Sequence, residues 1–294
     1  MLVDCHVHAA RRKSIPRASG TYYPTPRELV SKLDREGIDK AVVMCGISSE
    51  CRNQYVSPED VLEMCAAHPD RLIPFCCVDP RSDSNSPNSD FSRYLGFYKE
   101  AGCKGVGELT ANLAFDDPMV WNLFRYCQEY HMPVTFHIAP QFGGCYGLVD
   151  DLGLPRLERA LREFPDLIFL GHSQPFWAEI GADATDETRG GYPEGKVLPG
   201  GRVVELMQEY DNLHGDLSAG SGYNAISRDP EFGYEFMQRF QDRLLFGTDI
   251  SYPELDTPIV GYLREAVERG RISREAYEKI TWRNADRVLG LGLA

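Results

Sequence analysis

The most telling residues in this chain are ionisable ones that close apolar runs. His6 and His8 end Leu2-Val3-Asp4-Cys5-His6-Val7-His8. Side chains two apart on a strand face the same way, so both imidazoles can converge on one point. Glu108 ends Gly-Val-Gly-Glu, His137 ends Val-Thr-Phe-His, His172 ends Phe-Leu-Gly-His, and Asp249 ends Leu-Leu-Phe-Gly-Thr-Asp. Burying such groups beside apolar chain is costly unless they pair or bind a cation. One His-X-His alone is common by chance; ionisable residues at several strand ends describe a site assembled at one mouth.

Imidazole and carboxylate donors suit a divalent ion, zinc first, with manganese or iron as alternatives. Such an ion lowers the pKa of water to about 7 and polarises a carbonyl. Asp249 is placed to take a proton from that water and return it to the leaving group. His172 is placed to hold the developing oxyanion or to carry the proton. Asp216, at the end of Leu213-His-Gly-Asp, is a candidate to orient a ligand imidazole. His68 and His131 precede strands and read as helix ends on the opposite rim. His214 reads as structural.

For these ends to meet, the strands must be parallel and share one face. Strand candidates are Leu2–His8, Lys40–Cys45, Leu72–Val78, Gly105–Leu109, Val134–Ile138, Leu167–Leu170, Leu213–Leu217 and Leu244–Thr248. Helix candidates alternate with them: Pro26–Glu36, Pro58–Ala67, Phe91–Glu100, Pro118–Tyr130, Pro155–Glu163, Gly201–Tyr210, Pro230–Phe240 and Thr257–Arg269, with a last helix near Ser273–Leu289. Prolines in first turns, preceded by Ser57 or Asp117, mark helix starts. Such an alternation predicts an α/β fold, a (β/α)8 TIM barrel with an extra C-terminal helix. An open doubly wound sheet is the alternative, but the first strand lacks the Gly-x-Gly-x-x-Gly turn.

Two long loops, Ala9–Thr25 and Ser173–Gly200, leave the C-terminal ends of strands, where barrels place their chemistry. A loop of that length reads as a lid or a disordered insert. Arg11 and Arg12, with Lys13 beside them, are candidates for a substrate carboxylate. Trp177 and Tyr223 are candidate pocket walls, and Gly220–Asn224 a candidate active-site loop.

The 294 residues carry a net charge of -13, which argues against nucleic acid and anionic membranes as partners. The length suits a single domain over residues 1–294, and homo-oligomers stay open. Nine cysteines without a Cys-x-x-Cys motif, no signal-peptide pattern and no long apolar run predict a cytoplasmic protein with reduced thiols.

The motifs Asp4-Cys-His6-Val-His8, His137, Gly-His172 and Gly-Thr-Asp249-Ile-Ser-Tyr-Pro, in that order, resemble the amidohydrolase superfamily. The resemblance is closest to the amidohydrolase-2 branch, which holds aminocarboxymuconate-semialdehyde decarboxylase and related lactone hydrolases. It implies one metal ion on His6, His8, His137 and Asp249, with His172 as an unligated catalytic histidine. Glu108 stands where some lactone hydrolases have a ligand. Gly-Glu108-Leu is also similar to a motif of TatD-type nucleases, in which the glutamate bridges two metals. One ion is favoured over two, with Glu108 as a ligand or its neighbour. The expected function is hydrolysis of a small, carboxylate-bearing lactone, amide or ester. A non-oxidative decarboxylase is the first alternative, a nuclease or phosphoesterase the next, and a barrel that binds without catalysis stands outside these.

Overall fold

Thr25, Ser57 and Asp117 each cap a helix whose next residue is proline, and each side chain accepts a hydrogen bond from a backbone N–H of the first turn. These helices are α1 (Pro26–Glu36), α2 (Pro58–Ala66) and α4 (Pro118–Glu129); α3 (Ser92–Glu100) lies between the last two. The Glu28 and Asp60 carboxylates in turn accept from the backbone N–H of Thr25 and Ser57, completing two capping boxes. The computed structural model describes residues 1–293; Ala294, the last residue of the expected domain, lies outside the described residues.

The strands are β1 (Val3–His8), β2 (Lys40–Met44), β3 (Leu72–Pro74), β4 (Val106–Leu109), β5 (Val134–Ala139), β6 (Leu148–Val149), β7 (Phe169–His172), β8 (Leu213–Asp216) and β9 (Leu244–Leu245). All pair in parallel, in two runs: β1-β2-β3 and β4-β5-β7-β8-β9, with β6 beside β5. Backbone bonds close both seams. Cys76 N–H donates to Gly105 O at 3.0 Å and Gly107 N–H to Cys76 O at 2.8 Å. On the other side Cys5 N–H donates to Phe246 O, Asp249 N–H to His6 O and His8 N–H to Ile250 O, at 2.8–2.9 Å. The result is the (β/α)8 barrel, in which β6 is a short extra.

The remaining helices are α5 (Pro155–Glu163), α6 (Gln174–Ala178), α7 (Arg202–Glu209), α8 (Ala219–Ser227), α9 (Pro230–Arg239), α10 (Pro258–Glu268), α11 (Arg274–Glu278) and α12 (Asn284–Leu289). A π-helical turn, Lys279–Arg283, divides the expected C-terminal helix in two. Both α6 and α8 were expected as loop. In α8 a Cβ on Gly222 would collide with the Leu217 backbone, and Gly220 packs closely under Tyr192. Tertiary packing thus overrides their poor helix propensity.

Val3, Cys5, Val42, Met44, Ile73, Phe75, Leu170 and Leu245 fill the barrel floor, and Ala285 and Leu289 of α12 cover it from below. A larger apolar layer lies between the strands and the outer helices. The β1–β2 pairing shifts register between Asp4 and Val7. Consecutive residues Cys5 and His6 therefore both reach the Asp216 carboxylate, at 3.2 and 2.7 Å, which a regular pleat forbids. The irregularity converts an apolar lower strand into a donor-bearing upper one. No helix among the described residues is long and apolar enough to cross a membrane.

His214 lies below Asp216 on β8, buried, with neither ring nitrogen partnered. Burial, then the charges of Arg287 and Arg243, lower its pKa to about 3. The unfolded chain takes up a proton near pH 6.5 while the folded imidazole stays neutral, so stability is lost as pH falls through that range. Between pH 6.5 and 5 this group costs about 2 kcal/mol. His214→Leu is expected to flatten that part of the urea-midpoint profile; an unchanged slope would assign the acid sensitivity to other groups.

Candidate metal centre

Every donor singled out in the sequence stands at the C-terminal end of its strand. His6 and His8 rise from β1, Glu108 from β4, His137 from β5, His172 from β7, and Asp249 follows β9. β5 and β7 pair with His137 opposite His172, so their rings stand at one height. Asp4 braces β1 to the far side of the seam: its carboxylate accepts from the backbone of His6 and Thr248 at 3.0 Å and from the Thr248 hydroxyl at 2.5 Å. That brace delivers Asp249 beside His8.

His6 Nε2 lies 3.2 Å from His8 Nε2 and 3.9 Å from both Glu108 Oε2 and Asp249 Oδ1. His8 Nε2 is 3.5 Å from Glu108 Oε2 and 3.2 Å from Asp249 Oδ1. Four donors around zinc stand roughly 3.3–3.4 Å from one another. A carboxylate only accepts, so the 2.7 Å contact of His6 Nδ1 with Asp216 Oδ2 must carry the ring proton. This fixes the tautomer and turns the bare Nε2 lone pair toward the other donors. Lone pairs gathered at this spacing fit a cation.

The electrostatics agree. Burial alone would lower the pKa of His6, but the Asp216, Asp249 and Glu108 carboxylates outweigh it and raise it to about 10. Burial would raise Asp216, Glu108 and Asp249, yet the surrounding imidazoles hold all three below the ordinary carboxylate range. The cluster therefore requires positive charge, which a proton or a divalent ion can supply.

Glu108 joins two donor groups. Its Oε2 faces His6 and His8, while its Oε1 meets His137 Nδ1 at 2.8 Å and lies 3.9 Å from His172 Nε2. His137 thus touches the first group through Glu108, where the resemblance implied direct company with His6, His8 and Asp249. His6-His8-Glu108 and Glu108-His137-His172 each bring one ligand atom per residue within 4.8 Å. On the other face of His172, Nδ1 is 3.0 Å from the Ser218 hydroxyl and 3.5 Å from Asp216.

The donors open into a cavity of about 750 Å³ lined in part by Arg17, Tyr23, Arg52, Tyr146, Gln174, Tyr192 and Tyr223. Tyr146 packs on His137 with ring centroids 4.4 Å apart. A Cβ on Gly147 would lie 2.6 Å from His137 O, so only glycine lets this loop approach so closely.

The expected substrate residues are redistributed. Arg11 and Arg12 lie outside this cavity, in a separate groove against α2, where Asp60 and Glu63 pair with Arg11 at 3.1 and 3.0 Å. Trp177 is buried core and not a pocket wall: Ser173 caps α6, and the indole N–H donates to Asp216 O at 2.9 Å from behind the site. Tyr223 does face the cavity, packed on Tyr262. The second long loop is docked instead of standing free as a lid. Its buried Arg189 pairs with Glu179 at 3.0 Å and donates to Asp150 O, and Arg228 pairs with Asp183 at 3.0 Å. That docking sets Tyr192 at the cavity mouth, where its hydroxyl accepts from Gln174.

A family model described as an amidohydrolase, of the second amidohydrolase type, matches residues 3–291. The chain belongs to this amidohydrolase family. No curated protein matches the chain. Among solved structures, this amidohydrolase is similar to a probable 2-pyrone-4,6-dicarboxylic acid hydrolase of Acinetobacter baumannii, with citric acid bound (16% identity, 99% of each chain covered, TM-score 0.59). It is also similar to 5-carboxyvanillate decarboxylase of Sphingomonas paucimobilis (15%, 98% of each chain, 0.60). A third is an amidohydrolase of Burkholderia multivorans with bound zinc (13%, 99% of each chain, 0.59). At these identities the structural likeness concerns the barrel; the family membership rests on the match along the chain.

Proposed function

We propose that this amidohydrolase is a metal-dependent hydrolase that opens a lactone, amide or ester of a small, carboxylate-bearing molecule. The observation that carries this reading is the position of Asp249. Its side chain is 26% exposed, against 0% for His6, 9% for His8 and 6% for Glu108. Asp249 therefore touches the donor cluster through Oδ1 and also meets the cavity, where substrate and water arrive.

His6, His8, Asp249 and Glu108 would hold one divalent ion, zinc by the chemistry of its nitrogen and oxygen donors. When bound, that ion supplies Lewis acidity toward a carbonyl and acidifies water. Asp249 takes the proton of the attacking water at its carboxylate and passes it to the leaving oxygen or nitrogen. His172, held between Ser218 and Asp216, presents Nε2 to the reacting centre, where an N–H stabilises the developing oxyanion. Asp216 keeps His6 in its donor tautomer, and Trp177 keeps Asp216 in place.

Decarboxylation is the second reading, favoured by the fold neighbour that is a carboxyvanillate decarboxylase. There His172, having first taken up a proton, would give it to the carbon that loses carbon dioxide. The experiment begins with plasma mass spectrometry of the purified protein, then incubates it with lactones and carboxylated aromatics and follows product mass. About one zinc or manganese per chain and addition of water support hydrolysis. Loss of carbon dioxide assigns the second reading. Two ions per chain would make Glu108 a bridge, and the absence of metal after reconstitution would overturn the proposal.

A further inference from the structure

We propose that Arg17 and Arg52, joined through Tyr23, anchor a carboxylate of the substrate that the reaction leaves intact. This rests on the reaction proposed at the adjoining donors, and it names the residues that select an acidic molecule. Both guanidinium groups line the cavity and are half-buried. Arg52 donates only to neutral oxygens: Ser48 O at 3.2 Å, the Tyr23 hydroxyl at 3.2 Å and the Thr110 hydroxyl at 3.1 Å. Arg17 donates through Nη1 to Ser251 O at 3.0 Å, and its guanidinium lies 4.3 Å from the Tyr23 ring centroid. Neither has a carboxylate partner among the described residues, whereas Arg11, Arg81 and Arg189 each do. Nearby Glu50 is already taken by Arg81 at 2.7 Å.

Two arginines without an ion-pair partner stand out in a cavity whose lining also carries Glu50, Glu108, Asp249 and Asp256, Glu50 being held by Arg81, and Glu108 and Asp249 by the histidines. A half-buried guanidinium with no ion-pair partner gains from an anion that reaches it. Five N–H donors per arginine exceed the bonds made, so the fork of each side chain keeps donors for a planar anion. The site is also built to hold Arg52: a Cβ on Gly46 would lie 2.2 Å from its Nη1. Tyr23 sets the distance to the chemistry, its ring centroid 5.6 Å from that of His8. A small molecule can thus place one carboxylate on the arginines and its reacting carbonyl at His8 and Asp249.

The test is calorimetric and thermal-shift titration of the metal-loaded protein with benzene-1,3-dicarboxylate, pentanedioate, benzoate, benzene-1,3-dicarboxamide and inorganic phosphate. At least one carboxylate is expected to bind and raise the melting temperature, while the diamide does neither. Arg17→Met and Arg52→Met should each weaken that carboxylate by about tenfold or more, with metal per chain unchanged. Arg52→Lys should restore only part, because a point charge replaces a fork. Repeating the titration on chelator-stripped protein separates carboxylate held by the arginines from carboxylate held by a metal. Equal binding of acid and amide, undiminished binding in both Met variants, or no response to any carboxylate overturns the proposal. Phosphate binding as tightly as the carboxylates would overturn it in favour of a general anion site. A protein that proves metal-free but still binds carboxylate through the arginines refutes the proposed reaction and leaves the anchor standing.

Discussion

Asp249→Asn is expected to remove the metal and turnover together. The residue occupies the left-handed backbone region at φ 57°, which asparagine also tolerates, so the substitution changes charge with little change of backbone. Its N–H still donates to His6 O, and the brace from Asp4 to Thr248 is untouched. What disappears is the carboxylate 3.2 Å from His8 Nε2, the more exposed of the two carboxylates in the donor cluster. Losing a positioned proton acceptor alone costs about 10²–10⁴ in rate, and a weakened cation site costs more. Metal per chain and rate measured on one preparation decide the role. Retained metal with lost rate would make Asp249 a base that is no ligand. Retained rate would displace it from the site.

The strand ends were legible because their signal is local. An apolar run must end where a costly ionisable group begins, and eight such alternations leave few ways to close a sheet. The helix bounds of α1 and α5 match their expected residues for the same reason, proline at the start and a broken apolar stripe at the end. Loop residues carry no such period. Arg11, Arg12 and Lys13 form a basic patch in the sequence, but α2 presents Asp60 and Glu63 to Arg11, and Glu28 of α1 pairs with Lys13. Arg17, a few residues on, turns inward because the Tyr23 ring receives it. Arg52 runs into the cavity past Gly46, on another segment, where a Cβ would lie 2.2 Å from its Nη1. Trp177 was misplaced because an indole after a strand end suits a pocket wall as well as a core, and its N–H partner, Asp216 O, lies on a different strand. Asp216 itself is marked in the sequence only by its place at the end of Leu213-His-Gly-Asp. Its hold on His6 depends on the register shift in β1, which no periodicity reports.

His172→Asn is expected to keep the metal and lose about 10²–10⁴ of the rate. His172 stands apart from the first donor group: its Nε2 is 3.9 Å from the Glu108 oxygen that faces away from His6 and His8. Its ring packs on His6 at 4.5 Å between centroids, and Ser218 and Asp216 fix its other edge. Burial, then the charge of His6, lowers its pKa to about 4, so the ring is neutral near pH 7, with one nitrogen free to accept a proton and the other carrying an N–H. Asparagine keeps polarity and most of the volume, which limits collapse around His6. With one ion on His6, His8, Asp249 and Glu108, the variant binds as much metal as the wild type. A drop from two ions to one would instead assign His172 to a second site with Glu108 and His137. Loss of all metal would make it a ligand of the first, and the division between holding the ion and moving the proton would have to be redrawn around His137.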